Sequence, residues 1–329
     1  MRLIGLEEHL VTPEVLAAWQ ALDPEWQDLA LVPSSGGDSG RRLAEYGAER
    51  FASMAETGVD VQVLSLSTPG VQNLETADAV RLQSSTNDTI AEAVRQNPER
   101  LQGFATLATP SPANAARELE RAVTQLGLNG AMVFGRTRER SIDHTDFLPI
   151  FEAAEALRAP IYLHPQSPLP SVREAYYSGF AAPVNAAFAT HRIGWHYDAG
   201  VQLLRLILSG VFDRFPQLQV IVGHWGEVVM FYLERIDLLS RFADLPRPLS
   251  EYLRTNVYVT PSGMLSQRYL GWSKEIVGTD RILFSTDYPF EPASHEGARR
   301  FLEEADLTPA EREGIASGNW DRLVAGIRR

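Results

Sequence analysis

Residues 2–10, RLIGLEEHL, decide how the rest of the chain is read. An apolar run that begins like a strand stops on Glu7, Glu8 and His9. Residues two apart on a strand face the same way, so Glu7 and His9 share one face and Glu8 points to the other. A carboxylate and an imidazole at that place are either solvated or hold something, and the pair alone leaves both open.

Seven further runs have the same character: 59–67 (VDVQVLSLS), 101–108, 130–134, 159–163, 218–223, 256–261 and 281–286. Between them lie stretches with apolar residues three and four apart, the helical spacing: 77–97, 113–126, 146–157, 197–209, 226–243, 264–277 and 293–304. Strands that alternate with helices pair in parallel through right-handed crossovers, and eight such units close a barrel. The expected fold is α/β, a distorted (β/α)8 TIM barrel of the metal-dependent hydrolase type, formed as one domain by residues 1–329. Two segments rich in Pro, Gly, Ser and aromatics, about 22–40 and 165–195, are too long for plain connections and are expected as insertions near the C-terminal face of the barrel. The second follows a strand directly, so it is a candidate lid or pocket wall, or else an ordinary surface excursion. Residues 307–329 are expected as a C-terminal helical extension packed on the barrel.

Bulk properties narrow the function. With 30 basic against 42 acidic residues the net charge is -12, which disfavours nucleic acid or an anionic membrane surface as partner. There is no cysteine, so disulfides, thiolate zinc sites and cysteine nucleophiles are excluded, and any metal is held by His, Asp or Glu. No apolar segment approaches 20 residues and no leader-like stretch opens the chain, so the expected location is cytoplasmic.

Four of the apolar runs end in a possible metal ligand or acid–base group: Glu7 and His9 in GLEEH, His164 in IYLHP, His224 in VIVGHWGE and Asp287 in LFSTDYPFE. Each has a plainer reading. Glu7 and His9 can be incidental, His164 a hydrogen-bonded core histidine, Asp287 a turn cap, and His224 with Glu227 a helix start. In a parallel barrel, however, all strand C-termini meet on one face. One Glu, two His and one Asp then make a nitrogen and oxygen site suited to one Zn²⁺ or Mn²⁺. Glu8, on the opposite face, is expected to be structural. Of the other histidines, His144 and His295 are expected at the surface, and His191 and His196, inside or beside the aromatic insertion, as structural. Arg235 follows His224 by three turns if residues 226–243 are one helix, and either pairs on the surface or reaches an anionic ligand across a subunit interface.

The set GLEEH, IYLHP, GVFDRFPQLQVIVGHWGE and RILFSTDYPFE, with VQVLSLSTPGVQ at 61–72 and LLRLILSG at 203–210, resembles the metal-dependent aromatic acid decarboxylase branch of the amidohydrolase superfamily, of the gamma-resorcylate (2,6-dihydroxybenzoate) decarboxylase type. The resemblance spans nearly the whole chain. It implies one Mn²⁺ or Zn²⁺ held by Glu7, His9, His164 and Asp287, with His224 near the substrate, Glu227 behind it and Arg235 near the substrate or an interface. It further implies a small aromatic acid as substrate and a homodimer or homotetramer. The implied reaction is non-oxidative decarboxylation of a hydroxylated, dihydroxybenzoate-like acid: the metal binds the carboxylate and an ortho phenolate, and Asp287 protonates the ring carbon. Trp225, Tyr288 and Phe290 are candidates to line the ring pocket, or else belong to the core. A mononuclear hydrolase of an amide, ester or lactone, acting through a metal-bound hydroxide, is the alternative. After the run at 130–134 the relatives carry a polar, asparagine-containing loop where this chain has Phe134 and Arg136, which points to a different ring specificity.

Overall fold

The computed structural model describes residues 1–291 and 294–329; the side chains of residues 294–296 fall outside the description, and the expectation for His295 with them. Two parallel sheets form the centre. The first joins strands Ile4–Leu10, Val61–Leu66 and Leu101–Gly103, and the second joins Ala105–Thr106, Ala131–Phe134, Ile161–His164, Val220–Val222 and Val257–Val259 in that spatial order. Phe104 links them, because its N–H donates to Leu64 O at 2.8 Å while the next N–H, of Ala105, donates to Gly130 O at 2.8 Å.

The run expected as the eighth strand, 281–286, is not a regular strand, and this is where the barrel is distorted. Its contacts are isolated parallel bridges, Val259 with Ile282 and Glu8 with Tyr288. Single hydrogen bonds support them: Leu283 N–H to Val259 O at 2.9 Å, Leu6 N–H to Phe284 O at 3.0 Å and His9 N–H to Tyr288 O at 2.8 Å. The ladder is interrupted because the Thr286 N–H donates to the Glu8 carboxylate at 2.9 Å instead of to a backbone carbonyl. One residue on, the chain turns out of extended geometry at Asp287, with φ of 59°.

Alternate residues of the strands fill the interior: Ile4, Leu6, Val61, Val63, Met132, Tyr162, Ile221 and Leu283 are all buried. The C-terminal helix Asn319–Ala325 adds Trp320, whose ring meets Phe104 edge-on at 5.5 Å and whose indole N–H donates to Gln102 at 2.8 Å. Around the sheets the helices stand close to their expected bounds, for example Thr76–Gln96, Pro112–Thr124 and Gln267–Val277. The single helix expected over 226–243 does not form. It is replaced by short turns, Met230–Tyr232, Leu233–Ile236 and Leu239–Phe242, because the chain enters this stretch through a left-handed turn at residues 224–228.

The two inserted segments hold each other. Asp28, in the first, accepts from the Ser167 N–H at 2.9 Å and the Ser167 hydroxyl at 2.8 Å in the second. Arg136 donates to Ser167 O and to Asp198 at 3.4 Å, so this arginine anchors the second insertion.

Candidate metal centre

Glu7, His9, His164 and Asp287 leave the ends of three separate chain segments and meet: each offers a ligand atom, and these atoms lie within 4.8 Å of one another. Glu7 Oε1 stands 3.0 Å from His164 Nε2, and His9 Nε2 stands 3.4 Å from Asp287 Oδ1. The two imidazoles cross nearly at right angles with centroids 4.8 Å apart.

The orientation of each donor comes from its neighbours. Glu7 turns its Oε2 to the Tyr162 hydroxyl at 2.6 Å and to the Ser262 hydroxyl, which leaves Oε1 facing the cluster. His164 directs Nδ1 at the Pro165 carbonyl, 2.7 Å away; a carbonyl can only accept, so Nδ1 carries a proton and Nε2 is the nitrogen that faces the cluster. His9 Nδ1 meets Ser65 Oγ at 3.3 Å. Such outer contacts set the tautomer and aim of metal-binding groups.

Among the described residues Glu7 Oε1 and His9 Nε2 are buried without a hydrogen-bond partner. Two buried electron-pair donors aimed into one small space are costly unless a cation lies between them. The spacings fit: donors about 2.1 Å from a common divalent ion are about 3.0 Å apart at right angles and about 3.4 Å apart at tetrahedral angles. The residues present therefore suit one divalent ion with mixed nitrogen and oxygen donors.

The fields in the site point the same way. Burial lowers His9 to about 3, aided by His164, so this ring is neutral. Burial alone would raise Glu7, but the nearby His164, His224 and His9 hold it well below the usual carboxylate range. Asp287 goes the other way: burial and the carboxylates of Glu7, Glu291, Glu8 and Glu227 push it well above its ordinary value.

Glu8 lies on the opposite face, as the strand period requires, and is fully buried. It accepts from Thr286 N–H at 2.9 Å, Thr286 Oγ1 at 2.5 Å and Gln62 Nε2 at 3.0 Å. Arg50 supports it, donating to Gln62 Oε1 at 3.0 Å and to His9 O at 2.6 Å. Through Glu8 the 281–288 segment is tied to the first strand, and Asp287 is brought to His9.

His224 and Glu227 are not at the start of an ordinary helix. Residues 224–228 all have positive φ: 47°, 57°, 84°, 52° and 60°. They form one left-handed turn, which is why a right-handed helix from 226 is impossible and why the helix-dipole reading of Glu227 fails. Left-handed geometry costs roughly 1–2 kcal/mol for each residue with a side chain, so contacts from elsewhere must impose it. The Trp225 N–H donates to Thr260 O at 2.9 Å, its indole N–H to Met264 O at 2.8 Å, and the His224 N–H to Ser262 Oγ at 3.1 Å. At Gly223 a Cβ would stand 2.5 Å from Ser262 Oγ and 3.2 Å from Glu7 Oε2, so only glycine lets the turn reach the cluster. The turn brings His224 Nδ1 to 2.7 Å from Glu227 Oε1. Glu227, fully buried, is held at about 2: burial raises it, and His224 and His196 lower it by more.

His196, expected to be structural, is drawn in as well, with Nδ1 2.9 Å from Glu227 Oε2. No motif spacing links the two, which lie 31 residues apart. His144 is half-exposed and accepts from the Asp146 N–H, and the exposed His191 contributes its carbonyl to His196.

The remaining candidates divide by location. Phe290 packs 5.8 Å from His9 and Phe134 packs 5.5 Å from His164, centroid to centroid, so both lie beside the cluster. Trp225 and His224 line a cavity of about 240 Å³ together with Met230, Met264, Tyr269 and Trp272. Tyr288 lies beneath Arg50, 4.4 Å from guanidinium to ring centroid, and is buried. Arg235, on the turn Leu233–Ile236, is exposed.

Comparison with known proteins accords with this geometry. The sequence profile of the amidohydrolase family matches residues 9–324. The gamma-resorcylate decarboxylase of Polaromonas sp. strain JS666 is 35% identical, with 97% of each chain covered. Among solved structures, a 5-carboxyvanillate decarboxylase from Sphingomonas paucimobilis superposes with a TM-score of 0.88 at 32% identity, covering 99% of each chain. A dihydroxybenzoic acid decarboxylase from Polaromonas sp. JS666, with bound manganese and the inhibitor 2-nitroresorcinol, does so with a TM-score of 0.84 at 34% identity, covering 98% of this chain and 97% of that one. A full-length match in sequence and in three dimensions, joined to a carboxylate and imidazole cluster at the strand ends, means that the chain belongs to the amidohydrolase family, in the branch that holds the gamma-resorcylate decarboxylases.

Proposed function

We propose that the protein is a metal-dependent, non-oxidative decarboxylase of hydroxylated aromatic acids related to dihydroxybenzoate. The observation that carries this reading is the meeting of Glu7, His9, His164 and Asp287, with Glu7 Oε1 and His9 Nε2 buried and unbonded among the described residues. These four would hold one divalent cation, and manganese, present in a solved relative, suits their donors as well as zinc does. When bound, the cation supplies a positive centre that orients an ortho-hydroxy carboxylate and offsets its charge.

The chain's own groups do the rest. Asp287, pushed well above its ordinary value by burial and by the carboxylates of Glu7, Glu291, Glu8 and Glu227, is favoured in the form that carries a proton. It delivers that proton to the ring carbon bearing the carboxylate. The bond from that carbon to the carboxylate then breaks, its electrons return to the ring and carbon dioxide leaves, so the ionised Asp287 must be reprotonated. His224 is placed to return that proton, since Nδ1 is engaged by Glu227 and Nε2 remains for proton exchange. Phe290 and Phe134 border the place of reaction and exclude water. Trp225, Tyr288 and Arg235 are read as more distant contributors, Arg235 across a subunit contact. A homodimer or homotetramer is supported by the exposed Phe231, Tyr232, Leu238, Leu239 and Phe242 beside it.

The test is a screen of hydroxylated benzoates for carbon dioxide release, with amide, ester and lactone substrates as controls and metal analysis of the same sample. Decarboxylation of an ortho-hydroxybenzoate is expected. Hydrolysis without any carbon dioxide release would overturn the proposal.

A further inference from the structure

His196 has no role in the proposed reaction, yet its surroundings are built around it. It lies near the start of the helix Gly194–Leu208, is buried, and both ring nitrogens face acceptors. Nδ1 is 2.9 Å from Glu227 Oε2 and Nε2 is 3.1 Å from the His191 carbonyl oxygen. An ionised carboxylate and a carbonyl can only accept, so both nitrogens carry protons and the ring is an imidazolium. Its pKa is raised accordingly: burial opposes the charge, and Glu227 outweighs burial.

Glu227 is thus held from two sides, by His196 at one oxygen and by His224 Nδ1, 2.7 Å away, at the other. The two imidazoles are tilted against each other with centroids 4.3 Å apart. His196, His224 and Glu227 also place three potential metal ligands within 4.8 Å. They do not form a second metal site, because His196 has no free lone pair. The helix carrying His196 seats directly on the strained turn: a Cβ at Gly200 would stand 2.3 Å from the Glu227 carbonyl oxygen.

We propose, resting on the decarboxylase reading, that His196 is a positioning residue, which through Glu227 keeps the proton of His224 on Nδ1 and its Nε2 free for the reaction. A carboxylate bonded to His224 alone could rotate and let the ring exchange tautomers, and the left-handed turn would lose one of its fixed points. The arrangement is electrostatic as well as geometric, since the carboxylate lies between an imidazolium and the Nδ1 edge of a second imidazole.

The test uses the full chain loaded with Mn²⁺ and three variants. His196→Ala is expected to lower kcat roughly 10- to 100-fold with KM little changed, the usual effect of removing an outer partner of an active-site group. His196→Asn places an amide N–H where Nδ1 stood and is expected to recover most of that loss. His196→Gln reaches only toward the former Nε2 and is expected to stay with the alanine variant. Nitrogen-15 NMR of labelled histidine, recorded on the diamagnetic Zn²⁺-loaded protein, reads the tautomer of His224 directly: Nδ1-protonated in the unaltered protein and in the asparagine variant, mixed in the other two. Unchanged kcat and tautomer in His196→Ala would overturn the proposal, as would rescue by glutamine equal to that by asparagine. If alanine prevents folding, the contrast between asparagine and glutamine decides. If the unaltered protein decarboxylates no hydroxybenzoate, the functional reading falls separately, and the tautomer measurement still decides the role of His196.

Discussion

Replacing Asp287 by Asn separates chemistry from architecture at this site. The change removes the transferable proton and leaves shape and volume nearly untouched. Asp287 has φ of 59°, a left-handed value that Asn adopts as readily as Asp, so the turn need not rearrange. Its carboxylate lies 3.4 Å from His9 Nε2, a neutral ring, and the surrounding segment is held by Glu8 rather than by Asp287 itself. Burial and the field of Glu7, Glu291, Glu8 and Glu227 already favour an uncharged Asp287, so a neutral amide meets no new electrostatic penalty in the metal-free protein. Thermal stability should therefore hold. Turnover should collapse, because a positioned acid accounts for about 10²- to 10⁴-fold in rate, which is about 2.7–5.4 kcal/mol at 25 °C. The assay is carbon dioxide release from the best hydroxybenzoate at saturating Mn²⁺, with metal content and melting temperature measured on the same preparation, since the amide oxygen is a weaker ligand than a carboxylate. Retention of more than about a tenth of the activity would refute the assignment of Asp287 as the acid, being well short of that range. Loss of activity that tracks metal loss and is restored by excess metal would show that its role is ligation alone.

Three more outcomes are expected. Chelator-treated protein should be inactive and recover with Mn²⁺ or Zn²⁺; full activity after complete removal of metal, checked by elemental analysis, would end the metal reading. Tyr162→Phe deletes the hydroxyl that donates to Glu7 at 2.6 Å, and metal affinity, measured by titration of the metal-free protein, should fall roughly 10- to 100-fold. Glu8→Gln addresses stability against pH. Burial pushes Glu8 from 4.5 up to about 7, opposed by its bonds from Thr286, so the folded chain retains a proton that the unfolded chain releases. The stabilisation is present below pH about 4.5 and is lost as pH rises through about 7, a change of about 3 kcal/mol. In the glutamine variant, denaturant melts of the metal-free protein should show a shallower decline across that window; an identical slope would contradict the burial argument.

The relation between chain and fold is clearest at Glu7, His9 and Glu8. Alternation along a strand is a local property, so their sorting to opposite faces followed from spacing alone. His164 and Asp287 were legible for a related reason, because each ends an apolar run and parallel strands bring such ends to one rim. The GHWGE stretch was legible as a place of chemistry but not as a shape. Five consecutive left-handed residues have no signature beyond two glycines, since the conformation is imposed by Thr260, Ser262 and Met264 from another segment. The three-turn spacing from His224 to Arg235 does not hold in consequence, because it was counted along a helix that cannot form.

By itself, then, the sequence determined what depends on near neighbours: strand and helix alternation, the side of the strand on which each carboxylate lies, and a donor set without sulfur. Only the tertiary structure decided what depends on partners far apart in the chain. Glu8 replaces a ladder carbonyl for Thr286, 278 residues away, and so opens the barrel at its eighth segment. Tyr162 and Ser262 aim Glu7, and His196 secures Glu227. Those contacts join side chains whose sequence separation carries no period, so nothing in local spacing encodes them, and they form only once the barrel has brought the strand ends together.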